Sequence, residues 1–431
     1  MGANGEDTRK TLSLSKGEGI LKAVWSPDRN RIAMLRFRQS AEKIEATLES
    51  VDLKSGQVTL ILSDSKLTVR DPGLSWLTDG RIIYSQAEPP PKQFESNLWQ
   101  IKTDIRTGQP VGTPRRITNW AGLSVGGHSA TTDGRQLVVL KSVGQGDVYV
   151  GELEARGRRL KSVRRVTLDQ RYDFPTGWTA DSRSILFTSD RNGSFDIFRQ
   201  SLDQSSPELL VSGPEQEMMP RLSPDGAWIF YWVRPDFFPW STSPARLMRV
   251  PVSGGQNELV LTAPLFDTHR CGRLPGTSCA FAALEGGQAV FYTFDAIRGK
   301  GPELMRIDVN PAGNYHWDLS PEGSRIAFLK EGEGRIRIIS LKGKPEQTIT
   351  ATGWAGFNSL DWTADGKGLL VSSWSPSQVA TLLHLDLNGK AYVLWQLKGS
   401  FLTYGVPSPN GRYLAMEGGT TESNAWMVEN F

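Results

Sequence analysis

The sequence predicts an all-β fold, a single β-propeller of eight to nine four-stranded blades, on three observations. First, 44 Gly, 25 Pro and 14 Trp in 431 residues suit many short strands joined by turns better than long helices. Second, a Ser-Pro-Asp-Gly-like turn recurs, with its acid or equivalent at Asp28, Asp79, Asp133, Asp181, Asp225, Glu322, Asp365 and Asn410, and a weaker copy at Gly286. Most spacings lie near the ~40–45 residues of a WD40-type blade, and loop insertions explain the longer ones. Third, four residues after each turn stands an aliphatic residue: Ile32, Ile83, Leu137, Ile185, Ile229, Val290, Ile326, Leu369 and Leu414. A constant apolar position after a turn fixes the inward face of a strand.

Each part of the repeat has a physical reason. In "VWSPDRNRIAML", "GWTADSRSILFTS" and "DLSPEGSRIAFL", Pro presets the first turn angle, the acid caps local amides and Gly accepts a positive φ. Trp25, Trp76, Trp178 and Trp362 precede the turn acid by three residues and are expected to wedge between neighbouring blades. Third strands are expected at 98–101, 148–151, 196–200, 247–250, 304–307, 336–339, 382–385 and 425–428. In "SAEKIEATLESVDL" (40–53) the apolar spacing is helical, but the repeat register requires a strand, and the register decides. Between "LMRIDV" and "YHWDLS" there is room for almost no fourth strand, so that blade is expected to be incomplete. The last copy supplies three strands, and the N-terminal "RKTLSLS" (9–15) is expected to pair with it and close the ring, covering an otherwise open edge. Residues 1–8 are expected to be disordered and 9–431 to form one domain.

Charge and composition exclude several classes. Lys and Arg (49) nearly balance Asp and Glu (46), without a basic stripe, which argues against a nucleic-acid partner. No apolar run is long enough to span a bilayer, and the start lacks a hydrophobic signal core, so the chain as written reads as soluble, cytoplasmic and monomeric, without membrane insertion. It would be extracytoplasmic if it were a detached sensor domain. Cys271 and Cys279 flank "GRLPGTS", a segment that favours a turn; a local disulfide and two free thiols both remain open. A zinc site from this pair and His269 lacks a fourth ligand.

"GLSVG" (122–126) formally matches a nucleophile elbow, but Ser124 precedes a propeller hairpin rather than a strand-to-helix turn. His128, His269, His316 and His384 are scattered, and no catalytic residue, metal or cofactor is expected. Two insertions stand out, "QAEPPPKQF" (86–94) and "VRPDFFPWSTSPA" (233–245). The second displays Phe237, Phe238 and Trp240 amid Pro and Ser, as an interface anchor requires.

The turns, together with "LFTSDRNGSFDIFRQ" and "LSPDGAWIFYWVRPD", resemble the PD40, or TolB-like, branch of WD40-like propellers. "YHWDLSPEGSRIAF", "SLDWTADGKGLLVSS" and "LLHLDLNGKAYVLW" are similar to the C-terminal propeller of bacterial, acidobacterial-type serine/threonine kinases and winged-helix regulators. That resemblance implies a sensing or protein-interaction module beside an effector. No kinase motif occurs in this chain. The expected function is therefore non-enzymatic binding of a protein, peptide or small-molecule ligand through loops and channel mouth. A propeller lyase or hydrolase, or a TolB-like partner in an envelope complex, is the alternative.

Overall fold

The computed structural model describes residues 10, 12–15, 18–39, 44–67, 72–89, 92, 94–131, 133–235, 244–273, 277–309, 313–354, 356–374, 379–398, 400–401, 404–429 and 431. Apart from one short 3-10 turn at Ser65–Leu67, its regular elements are strands, and the chain divides into two compact units. The first comprises residues 1–144, 240–242 and 422–431, and the second 145–239 and 243–421.

In the first unit, two four-stranded antiparallel sheets cover Glu18–Ser63 and Leu74–Arg116. A third combines Ser124–Ala130 with parts of the long strands Gln136–Glu154 and Tyr413–Glu429. Ala33, Leu35, Leu48, Trp76 and Tyr84 pack together between the first two sheets. The strand required by the repeat register is present, as Ile44–Asp52.

The second unit holds five consecutive four-stranded meanders and a sixth sheet assembled from both ends of its sequence. Their first strands are β1 (Asp173–Trp178), β2 (Gln216–Leu222), β3 (Leu265–Cys271), β4 (Tyr315–Leu319), β5 (Ser359–Trp362) and β6 (Gly405–Pro407). Each touches the next, and β6 touches β1, so the six strands form a closed cycle. The apolar column is the core of both units: eight of its nine residues are at most 1% exposed, with Ile32 the exception.

The turns are held as their chemistry predicts. In most copies the residue two before the acid donates its hydroxyl to it, as in Thr179 to Asp181 (2.6 Å), Ser223 to Asp225 (2.5 Å) and Thr363 to Asp365 (2.7 Å), whereas Leu77 stands there before Asp79. The residue after the acid has positive φ, a glycine in most copies but Ser182 (60°) in the fourth and Arg29 (60°) in the first.

Four expectations need correction. Among the described residues no strand from 9–15 closes the ring: Lys10 and residues 12–15 form none. Instead β6 and residues 413–421 are continued by 145–154 and 159–165. The reason is that "KSVGQGDV" and "EGGTTESN" do not turn, although their glycines suggest it; Gly144, Gly146, Gly418 and Gly419 lie outside the positive-φ region, so each segment continues as a single strand.

The blade expected to be incomplete has all four strands, because β3 precedes it and 304–307 lies in its fourth strand rather than its third. Accordingly the weak copy at Gly286 joins second and third strands, Cys279–Glu285 and Gln288–Asp295, and the true counterpart of the Asp-Gly turn is the Cys271–Cys279 hairpin. The two sulfurs are bonded there, across Cα atoms 4.0 Å apart. A covalent bridge thus stands where other copies use a hydroxyl–carboxylate bond.

Finally, the wedge role holds for Trp76, Trp178 and Trp362, which are 8%, 3% and 1% exposed, but not for Trp25, at 61%. Trp25 belongs to the first sheet of its unit, which within that unit has no preceding sheet to wedge against.

Candidate functional site

Directly before the Trp column, four residues ahead of the turn acid, the inner strands carry Gly177, Arg221, Asp318, Asp361 and Val406. Strand alternation turns this position away from the wedge face. On β3, whose turn is the disulfide hairpin, Arg270 takes part, and Arg273 follows two residues after the strand ends. These groups converge. Arg270 Nε lies 3.1 Å from Asp318 Oδ1, with the two side chains 3% and 11% exposed. Arg221 Nη2 lies 3.8 Å from Asp361 Oδ1. Because β2 and β5 are three places apart in a cycle of six, that contact reaches across the ring.

Local backbone places each group. Asp318 Oδ1 accepts the Leu319 N–H at 2.9 Å and its Oδ2 accepts the Trp362 N–H at 2.7 Å, locking the carboxylate between β4 and β5. Arg270 Nη1 donates to the His269 carbonyl at 3.2 Å, and its guanidinium lies over the Trp317 ring at 5.6 Å. Arg221 follows a bulge: pairing slips between Met218 and Arg221, and Met219 adopts φ 59°. A non-glycine residue held there is strained, and bulges of this kind re-aim the next side chain. Gly177 permits the approach, since a Cβ there would sit 2.9 Å from the Pro220 carbonyl oxygen.

The cluster holds three guanidinium groups and two carboxylates; Arg270, Asp318 and Asp361 are buried, and Arg221 and Arg273 half-buried. Burial pushes the Asp361 carboxyl up to about 7, helped by Asp318 and opposed by Arg221, Arg270 and Arg273. Burial, followed by Arg270, lowers Arg221 to about 10. His269 is fully buried among Phe230, Trp232 and Phe294, and burial takes its pKa well below 6.5, so it is neutral. Among the described residues, the buried atoms here without a hydrogen-bond partner include Arg221 Nε, Arg273 Nη1, Asp361 Oδ2 and both ring nitrogens of His269.

The Asp361 shift has a signed consequence. Between about pH 4 and pH 7 the folded chain holds a proton that the unfolded chain has released, so this group's contribution to stability falls as pH rises. Asp361→Asn removes that slope, which for one group is at most about 1.4 kcal/mol per pH unit. Urea unfolding across this window should show the variant gaining on the wild type as pH rises, with no further gain above it. A constant difference would refute the assignment.

The residues singled out from sequence lie elsewhere. Phe237, Phe238 and Trp240 fall outside the described residues. Ser124 opens a strand that pairs antiparallel with its successor, so it forms no elbow. His128 Nδ1 bonds Ser75 Oγ at 2.9 Å and His384 Nδ1 bonds the Gly157 carbonyl at 2.8 Å; no group of three metal-ligating side chains occurs among the described residues. No described helix is long and apolar enough to cross a membrane. The charged column was visible in the repeat alignment: charges stand at a strand position that is small or apolar in the other copies of the same unit.

The closed cycle of antiparallel sheets in the second unit defines a β-propeller. No protein-family model matches the chain. An uncharacterized protein of Agrobacterium fabrum is 24% identical over 271 residues, 59% of this chain and 83% of that protein. TolB from Acinetobacter baumannii is 14% identical with a TM-score of 0.44, over 91% of this chain and 82% of that one. A chain of the nidogen/laminin complex (12%, TM-score 0.43, 64% and 98% covered) and oligogalacturonate lyase in complex with manganese (15%, 0.40, 67% and 76%) are similar at the same level.

Proposed function

We propose that the protein is a non-enzymatic binding module whose six-sheet ring takes a ligand at the Arg221–Arg270–Arg273–Asp318–Asp361 cluster. In this reading loop 233–245, with Phe237, Phe238 and Trp240, engages a protein partner linked to a bacterial signalling kinase or regulator. The observation that carries the ligand site is a set of charges buried on inner strands with hydrogen-bonding atoms left unused. Such groups are costly to bury for stability alone.

A thermal-shift screen of small metabolites tests it. A ligand at ~100 times its Kd stabilises by about 2.7 kcal/mol. At least one compound should raise the melting temperature of the wild type but not of Arg221→Gln, and should be recovered chemically unchanged. Conversion of the stabilising compound to a product would make the protein an enzyme, and equal stabilisation of both proteins would move the site elsewhere.

A further inference from the structure

The unused atoms in the cluster are specific enough to name a ligand chemistry. Arg221 Nε and Arg273 Nη1 are donors without acceptors, while Asp361 Oδ2 is an acceptor without a donor. The Arg221–Asp361 separation of 3.8 Å is too long for a direct hydrogen bond. With three guanidinium groups, two carboxylates and a neutral His269, the cluster carries an excess of one positive charge when Asp361 is ionised. A cation would answer Asp361 but face the arginines. A simple anion would answer the arginines but leave Asp361 unmatched. A neutral polyol would supply both kinds of hydrogen bond and leave the charge uncompensated.

We propose that this site binds a compact oxyanion that also carries an O–H donor, a hydroxycarboxylate or a protonated phosphate, with its oxygens on Arg221 and Arg273 and its O–H on Asp361. The inference rests on the ligand-site reading above and sharpens it. The groups facing Asp361 are Arg221 from β2, Arg270 and Arg273 from β3 and the segment after it, and Asp318 from β4. The corresponding position of β1 is Gly177 and that of β6 is Val406, neither of which titrates.

Two matched pairs of probes isolate the donor: glycolate against acetate, and inorganic phosphate against sulfate, measured by calorimetry above the Asp361 pKa of about 7, where that carboxyl is ionised and can only accept. Glycolate should bind about tenfold or more tighter than acetate, and phosphate tighter than sulfate by a similar factor, the usual scale for one buried hydrogen bond. Asp361→Asn should erase both differences, and Arg273→Gln should weaken every probe, with urea midpoints confirming that each variant is folded. Preference within only one pair still supports the inference and tells carboxylate from phosphate. Equal binding within both pairs would overturn it. If none of the four binds while the metabolite screen yields an Arg221-dependent compound of another class, this inference fails and the ligand-site reading stands. If neither experiment yields a ligand, both fail.

Discussion

Trp362→Ala is expected to destabilise the protein by about 3–5 kcal/mol, the usual cost of truncating a large buried aromatic residue. Trp25→Ala, in the same column of the repeat, should change stability by less than about 0.5 kcal/mol. Trp362 is 1% exposed and packs with Leu329, Ile336, Ile338, Phe357 and Leu369, joining the sheet that begins with β4 to the one that begins with β5. Its Nε1–H donates to the Asp318 carbonyl at 3.2 Å, and the Arg325 guanidinium lies over its ring at 4.5 Å. Truncation opens a cavity between two sheets and strands the indole's partners together. Trp25 has no such cavity to leave. Urea unfolding of both variants measures the difference, and similar costs would show that position in the repeat, rather than burial, governs this column.

That contrast shows how far the sequence was legible. Hairpins, apolar column and most third strands follow from local chemistry, because turn acid, hydroxyl and left-handed residue act within a few positions of one another. Trp25 could not be told from Trp362, since what differs is the neighbouring sheet, a property of the fold rather than of the repeat. The closure was misread for a similar reason. Residues 145–165 lie more than two hundred positions from β6, and nothing local marks Gly144 or Gly418 as extended rather than turning. The slip at Gly286 arose because "EGGQ" supplies a good hairpin while the actual first turn is held by Cys271 and Cys279, outside the pattern used for alignment. The charged column was within reach. Arg221, Asp318 and Asp361 share one register position, directly before the Trp column.

Asp318→Ala should be nearly as damaging as Trp362→Ala, at about 3–5 kcal/mol, because it removes one member of a buried ion pair. Arg270 is 3% exposed at its side chain, and the Asp318 carboxylate 3.1 Å away is its ion-pair partner. The same carboxylate accepts the Trp362 N–H at 2.7 Å, so its loss also frees a buried backbone donor at the start of the wedge. Two further variants separate these costs. Combining Asp318→Leu with Arg270→Met replaces both charges by apolar side chains and should recover much of the loss, since a buried pair replaced as a unit is often neutral. The remaining deficit then measures the Leu319 and Trp362 N–H groups together, each on the order of 1–3 kcal/mol. Asp318→Ala combined with Trp362→Ala should cost less than the sum of the two single changes, because both act on one junction between β4 and β5. Strict additivity would mean that carboxylate and wedge work independently. Non-additivity would mean that the residue anchoring the charged cluster also sets the spacing of the sheets that carry it, so that ligand-site geometry and ring stability are adjusted by the same side chain.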